Sequence, residues 1–181
     1  MKHLPTIIFL SLVCFSSCKR KQEDVLADIR KKYAEINNKQ KDYTRKQVDD
    51  ITSVGAGTIS GYYRDDEVKK IVGEHFTDTC RTFTECYFDD GMLIFVVKQN
   101  FVYNKPMTYT EEKAKALGDS VWYDDKKTRM EISRYYFHKN KLIKWIDHDN
   151  ADVPVNTSQF TDRQSLIWAE TVILIKQLKE Q

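Results

Sequence analysis

The densest group of side chains able to bind a cation lies at residues 147–152, which read Asp-His-Asp-Asn-Ala-Asp. Alternating carboxylates offer oxygen ligands to calcium, but the EF-hand loop requires Gly at its sixth position and Glu at its twelfth. Here those positions hold Asp152 and Ser158. The segment therefore fits an acidic turn better than a calcium loop, and we predict no metal site.

The histidines are the next candidates for acid–base chemistry. Beyond residue 17 they are His75, His138 and His148, and none lies in a His-Glu-x-x-His motif. The sequence also has no Gly-x-Ser-x-Gly elbow and no paired Cys-x-x-Cys. We therefore predict no catalytic residue and no cofactor, and we interpret each histidine as a surface or hydrogen-bonded core residue.

Cys80 and Cys86 are six residues apart. On one continuous strand this spacing is about 20 Å, which is beyond the reach of a disulfide. A disulfide would require a turn that folds Cys80 back toward Cys86. We expect two buried or partly buried thiols instead.

The N-terminus has the layout of a secretory signal. Lys2 supplies a positive charge, residues 4–15 are mostly apolar, and the small residues Ser16 and Ser17 precede Cys18. This order of charge, apolar stretch and small residues is typical of exported proteins. The apolar stretch is shorter than the roughly 20 residues of a transmembrane helix.

The tetrapeptide Phe15-Ser16-Ser17-Cys18 resembles the lipobox of bacterial lipoprotein precursors. The resemblance implies that residues 1–17 are a signal peptide, and that Cys18 is acylated and becomes the first mature residue. It also implies a lipid anchor in the cell envelope, and we expect the outer membrane. Residues 18–24 would then be a charged tether. The alternative is an ordinary secretory signal that is cut nearby, with Cys18 incidental.

The charge balance bears on the class of partner. The chain of 181 residues has 29 basic and 27 acidic side chains, and the predicted signal peptide removes one basic residue. A near-neutral chain lacks the basic excess that nucleic-acid binding requires, so we expect no nucleic-acid partner. Residues 25–181 are enough for one domain with a sizeable core.

The periodicity predicts an N-terminal helix over 23–47, because Leu26, Ile29, Tyr33, Ile36 and Tyr43 form one apolar stripe. Aromatic and β-branched runs then predict six strands, at 57–63, 67–76, 81–88, 92–103, 128–137 and 141–146. The sequence contains a repeated unit, which is an aromatic residue followed by a polar turn and an apolar strand. Residues 87–95 align with residues 136–144 in this unit, and residues 63–68 form a looser third copy. A wide apolar face after Thr161 predicts a C-terminal helix.

These elements predict an α+β fold, an antiparallel meander of about six strands with an N-terminal and a C-terminal helix packed on it. The connection at 104–127 is long and carries its own aromatic residues, which is typical of functional loops. A short helix at 112–117 is expected within it. Every predicted hairpin ends in polar turn residues, of which Asp90-Gly91 is the strongest signal.

The leading functional hypothesis is a non-enzymatic binding or envelope-associated module for a protein, peptide or glycan. The aromatic residues expected to contact the ligand are Tyr103, Tyr109, Trp122, Tyr123 and Trp145. The alternative is an enzyme with a pocket in a cone-shaped α+β fold. A third hypothesis is a structural component that dimerises through an apolar sheet face.

In its general style of lipobox, charged helix and aromatic-rich strands, the chain resembles small uncharacterised lipoproteins of Bacteroidetes. The resemblance supplies no functional residues. Within the long connection, Asp119-Ser120-Val121 is similar to the O-glycosylation motif that Bacteroidetes use on exported proteins.

Overall fold

The computed structural model describes residues 12–55 and 57–180, with side chains from Gln22 onward. Residues 1–11 of the predicted signal peptide lie outside the described part of the chain, as does the side chain of Cys18. The elements are α1 (Leu12–Asn38), β1 (Thr44–Asp49), β2 (Thr58–Arg64), β3 (Glu67–Phe76), β4 (Cys80–Asp89), β5 (Met92–Val102), α2 (Glu111–Ala116), β6 (Arg129–His138), β7 (Lys141–Ile146) and α3 (Ser158–Glu180).

The seven strands form one antiparallel sheet in which every strand pairs with its sequence neighbours. The predicted α+β fold with a helix at each end is therefore confirmed, with one strand more than expected. The additional strand is β1, because the structure ends α1 at Asn38 where the spacing predicted a helix to residue 47. Pairing of β1 with β2 places Val48 opposite Ile59, and both side chains are buried.

Three tight hairpins lie at one end of the sheet, which we call the turn end. Their central residues have positive φ at Asp65-Asp66, Asp90-Gly91 and Lys139-Asn140, the conformation of the turns that match strand twist. Each hairpin also shifts register beside an aromatic residue, at Tyr62/Tyr63, Tyr87/Phe88 and Tyr136/Phe137. The repeat in the sequence is therefore a repeated bulged hairpin.

The two helices cover opposite faces of the sheet. On the outer face, α1 lies over the central strands β4, β5 and β6, and its buried side chains Leu26, Ile29 and Ile36 pack on Tyr87, Phe95 and Tyr136. On the inner face, α3 approaches β1, β2, β3 and β7, which indicates that the sheet bends around it. The side chains Phe160, Ile167 and Leu178 of α3 join the inner core.

A buried polar network fixes the end of α1 to the sheet. The ammonium group of Lys70, whose side chain is 6% exposed, lies 3.1 Å from a carboxylate oxygen of Glu85. It also donates to Oδ1 of Asn37 at 2.9 Å. The hydroxyl of Tyr87 donates to the other oxygen of Glu85 at 2.6 Å. Because every charge in this network is paired, it positions α1 without leaving a buried charge unsatisfied.

The opposite end of the sheet, which we call the loop end, carries the longer connections at 50–57, 77–79 and 103–128. On the inner face, α3 reaches the loop end only beside β1, where Gln177 bonds to Asp50. At this end the outer face carries partly exposed side chains of β4 and β5, and the inner face carries two cavities, which together form the open regions described below.

Candidate binding surface and polar groove

The open region of the outer face is built from alternate residues of β4 and β5. Phe83 and Phe101 meet edge to face with ring centroids 5.8 Å apart. The guanidinium of Arg81 lies over both rings, 5.1 Å from Phe83 and 4.7 Å from Phe101. Within the described residues Arg81 has no hydrogen-bonding or ionic partner, and its Nε is buried. Among the described residues, its side-chain contacts are therefore with the two aromatic rings.

Two of the predicted aromatic residues extend this region. Tyr103 continues the same side of β5, and its ring contacts that of Tyr123 edge to face at 5.4 Å. Partial burial raises the pKa of both hydroxyls, and the charge of Arg81 opposes the increase. We refer to Arg81, Phe83, Phe101, Tyr103 and Tyr123 as the aromatic surface.

The side chain of Asn104 holds the long connection in place. Its Nδ2 donates to the carbonyl of Trp122 at 2.8 Å, and its Oδ1 accepts from the amide of Asp124 at 3.0 Å. The amide of Tyr123 donates to the carbonyl of Tyr109 at 2.9 Å. These bonds fix Tyr123 against Tyr103 although the connection has only the short helix α2 and one 3-10 turn.

Tyr109 and Trp122 lie in the same connection but outside the aromatic surface. The hydroxyl of Tyr109 contacts Oδ2 of Asp119 at 3.1 Å, and Lys105 bridges to the same oxygen at 3.2 Å. Trp122 is partly exposed and contributes its carbonyl to the bond with Asn104. The short helix expected at 112–117 lies at Glu111–Ala116, one residue earlier, and Thr110 is its N-cap.

Trp145 does not belong to an exposed surface, so its predicted role in binding is corrected. It is 4% exposed and stacks on Tyr135 at 5.7 Å in the inner core, with Arg163 above its ring. Antiparallel pairing of β6 with β7 places Trp145 directly opposite Tyr135, on the face that α3 covers. Its large apolar area is therefore used in folding.

The open region of the inner face contains a fixed acid–base pair. Nδ1 of His75 lies 2.8 Å from Oδ2 of Asp50, and the side chain of Asp50 is 4% exposed against 37% for His75. Oδ1 of Asp50 accepts from the amide and hydroxyl of Thr52 at 3.0 and 2.7 Å, and from Nε2 of Gln177 at 3.2 Å.

These contacts set the ionisation of Asp50. Burial opposes the charged form, but the hydrogen bonds from Thr52, His75 and Gln177 outweigh it, and the pKa of Asp50 is lowered from its ordinary value. An ionised Asp50 accepts a hydrogen bond from the Nδ1–H group of His75. Nε2 is then the ring nitrogen that remains for a ligand in the cavity that His75 lines. Sequence reasoning missed this pair because the partners are distant in the chain.

Beside His75, polar side chains from three further strands form the floor of a groove along α3. They are Thr82, Thr84, Lys98, Asn100 and Ser133. The wall is α3, whose Glu170 accepts two hydrogen bonds from Lys98, each of 2.8 Å. Two cavities of about 280 and 260 Å³ meet at Lys98. We call this feature the polar groove.

The side chains considered as cation ligands form no metal site among the described residues. In the described part of the chain, no three His, Cys, Asp or Glu side chains are placed to hold a metal ion. Oδ1 of Asp147 accepts the amides of Asp149 and Ala151 at 3.0 and 2.9 Å, so its carboxylate closes a turn. The interpretation of residues 147–152 as an acidic turn is confirmed.

Both described cysteines are free thiols, as expected. Cys86 is fully buried, with its sulfur 3.6 Å from the hydroxyl of Thr171, and burial raises its pKa to about 12. Cys80 is partly exposed beside the hydroxyl of Thr77. Neither thiol is among the side chains that line the two cavities of the polar groove.

Among the described helices, none has the length and apolar character needed to cross a membrane. Comparison of the chain with models of protein families, with curated proteins and with solved structures gives no match.

Proposed function

We propose that this protein is an exported bacterial lipoprotein that binds a protein partner through the aromatic surface. The observation that carries the proposal is Arg81, whose guanidinium lies over two phenylalanine rings with no carboxylate partner among the described residues. Tyrosine, phenylalanine and arginine are the residue types enriched in protein interfaces. Tyrosine and arginine are also enriched among the residues that dominate their binding energy.

The chemistry of the surface indicates the chemistry of the partner. An arginine over aromatic rings retains donor groups that fit a carboxylate in a two-point contact. Met130, which is 54% exposed, lies opposite Phe101 across β5 and β6 and extends the apolar area. The expected partner segment therefore presents an acidic side chain flanked by apolar groups.

The surface is also organised before binding. The ring contacts and the bonds of Asn104 restrict Tyr103 and Tyr123 in the free protein. A side chain that is already ordered loses less conformational entropy when it binds, which favours affinity.

The anchor follows from the lipobox resemblance. Nε2 of Gln22 donates to the carbonyl of Ile143 on the edge strand β7, so the backbone of α1 reaches Cys18 about 6 Å further along the helix axis. A lipid on Cys18 would thus hold the domain close to the bilayer at its β7 edge. The mass of the mature N-terminus, measured on the full chain expressed in a bacterium, tests this. Loss of the acyl mass and of membrane association in Cys18→Ala is the expected result.

The partner site is tested by cross-linking from the membrane-bound full chain. A photoreactive amino acid at Met130, which pairs with Phe101 on the neighbouring strand, should capture one defined protein in the native envelope. Arg81→Glu should abolish that product by repelling the acidic segment, whereas Arg129→Ala should not, since Arg129 is exposed and pairs with Glu131 on its own strand. Equal yields of the cross-linked product in Arg81→Glu and Arg129→Ala would exclude the aromatic surface as the binding site for the partner.

A hydrolase is the second candidate, and the Asp50–His75 pair is the observation that favours it. A histidine fixed by a carboxylate can act as a general base, which contributes about 10²- to 10⁴-fold to a rate. Hydrolysis of nitrophenyl esters and glycosides by the full chain tests the idea. A rate lost in His75→Ala but kept in His138→Ala would support it, and rates equal to those of buffer would dismiss it.

A further inference from the structure

We propose that the polar groove binds a neutral, hydroxyl-rich ligand of the oligosaccharide class. The groove lies on the inner face, on the opposite side of the sheet from the aromatic surface. The inference therefore does not depend on the proposed protein partner. The floor crosses β3, β4, β5 and β6, a width of about 14 Å at the usual spacing between strands.

The floor offers hydrogen-bonding groups of both kinds in partly buried positions. The hydroxyl of Thr82 donates to Oδ1 of Asn100 at 3.0 Å, which leaves the amide nitrogen of Asn100 as a donor. Thr84 makes no side-chain hydrogen bond within the described residues and is partly buried. Hydroxyl and amide groups that both donate and accept match a ligand whose own hydroxyls do the same.

Charged side chains line both halves of the groove: Glu131, Asp147, His148 and Arg163 in the half beside Trp145, and two internal pairs in the half in front of His75. Lys98 is neutralised by Glu170 through two hydrogen bonds, and the charge of Asp50 is satisfied by His75, Thr52 and Gln177. In the half in front of His75, an ionic ligand would have to compete with these internal partners. A ligand without charge keeps both pairs intact.

The same geometry disfavours a peptide. An extended peptide gains its affinity by pairing with an exposed sheet edge, but the floor strands β3 to β6 are interior strands with both edges already paired. A helical peptide needs an apolar groove, whereas this floor is formed by threonine, asparagine, serine and lysine side chains. Recognition here must therefore use side-chain hydrogen bonds to the ligand.

Apolar side chains also line the groove and provide the contact that a sugar ring needs on its less polar side: Ile173 and Leu174 in one cavity, and Tyr135 and Trp145 in the other. Ile173 of α3 is 48% exposed and lines the cavity in front of His75. At that position a ring would lie between an aliphatic side chain and Nε2 of His75, which its bond to Asp50 directs away from the backbone. We assign His75 as the residue that orients the ligand at this end of the groove.

Isothermal titration of the full chain, purified in detergent, tests the inference with four neutral probes: maltohexaose, cellohexaose, chitohexaose and xylohexaose. We expect at least one to bind with a Kd of about 1 mM or tighter. Thr84→Val, which keeps the shape of the side chain but removes its hydroxyl, should weaken that binding about three- to tenfold. Thr84→Ser, which keeps the hydroxyl, should bind as the wild type does.

The matched control is Thr44→Val, because Thr44 lies on the exposed edge strand β1 outside the groove. It should leave the Kd unchanged, and circular dichroism should show that all three variants are folded. Absence of heat with all four probes overturns the inference. So does binding of tryptic casein peptides that is weakened by Thr84→Val, since that result would assign the groove to peptides.

Discussion

The Nδ1 atom of His75 lies 2.8 Å from Oδ2 of Asp50, although the two residues are 25 positions apart. The contact forms because the connection after β1 returns Asp50 to the loop end of β3, where Gln177 of α3 and Thr52 complete its hydrogen bonds. One carboxylate thus joins the first strand, the third strand and the last helix. It fixes the end of the polar groove and contributes to stability.

We predict that Asp50→Asn lowers the free energy of unfolding by about 1–3 kcal/mol at neutral pH, because a buried acceptor of several hydrogen bonds loses its charge. The folded-state pKa of Asp50 lies below the unfolded value of about 3.9. The ionised form therefore stabilises the fold above about pH 4, and this contribution is lost as the pH falls through the folded pKa. Urea unfolding at a series of pH values should show the two proteins converging in acid.

The control for this prediction is Asp149→Asn, because the side chain of Asp149 is 80% exposed. It should match the wild type throughout the pH series. A difference between Asp50→Asn and wild type that stays constant down to pH 2 would contradict the assigned role of the Asp50 charge.

The polar network beneath α1 predicts a large effect of Lys70→Ala. The substitution leaves Glu85, whose side chain is 26% exposed, without its cation, and we expect a cost of about 1–3 kcal/mol, below that of a fully buried pair. Chemical denaturation measures the loss. Lys69→Ala is the matched control because, among the described residues, Lys69 pairs with the half-exposed Glu67 alone, and its cost should stay below about 1 kcal/mol. Similar losses in both variants would show that the network does not hold α1.

The two described thiols should differ in reactivity. Cys86 is buried and its pKa is raised to about 12, so almost no thiolate is present at pH 8, whereas Cys80 is partly exposed. Alkylation of the native full chain with iodoacetamide should modify Cys80 first. Trypsin cleaves after Arg81 and places the two cysteines in separate peptides, so mass spectrometry reads each directly. Equal labelling before unfolding would contradict the burial of Cys86, and equal labelling after unfolding is the control.

The sequence patterns predicted those parts of the fold that depend on local periodicity. Leu26, Ile29 and Ile36 are buried beneath α1 as their stripe indicates, and the aligned segments 87–95 and 136–144 are equivalent hairpins. Strand β1 was missed because Gln40 and Tyr43 continue the helical spacing, while the pairing that defines the strand depends on a distant partner, β2.

The candidate sites were predicted less completely, for the same physical reason. Tyr103 and Tyr123 were found because aromatic residues in a long loop are a local signal. Arg81 gave no such signal, since only the pairing of β4 with β5 brings Phe101 to it. The burial of Trp145 likewise depends on Tyr135 and α3, which no spacing within β7 reveals.

The bonds of Asn104 predict that Asn104→Ala loosens the long connection without unfolding the sheet. Removing this side chain leaves the carbonyl of Trp122 and the amide of Asp124 without their partner, so local opening becomes easier by about 1–3 kcal/mol. Limited trypsin digestion should then cut faster after Lys113 and Lys115, which lie in or beside the exposed helix α2. Cross-linking of the protein partner from Met130 should fall in parallel, because Tyr123 is no longer held against Tyr103. Asn156→Ala, at an exposed position before α3, should change neither measurement. Faster cleavage with undiminished cross-linking would show that the partner does not require the ordered Tyr103–Tyr123 pair.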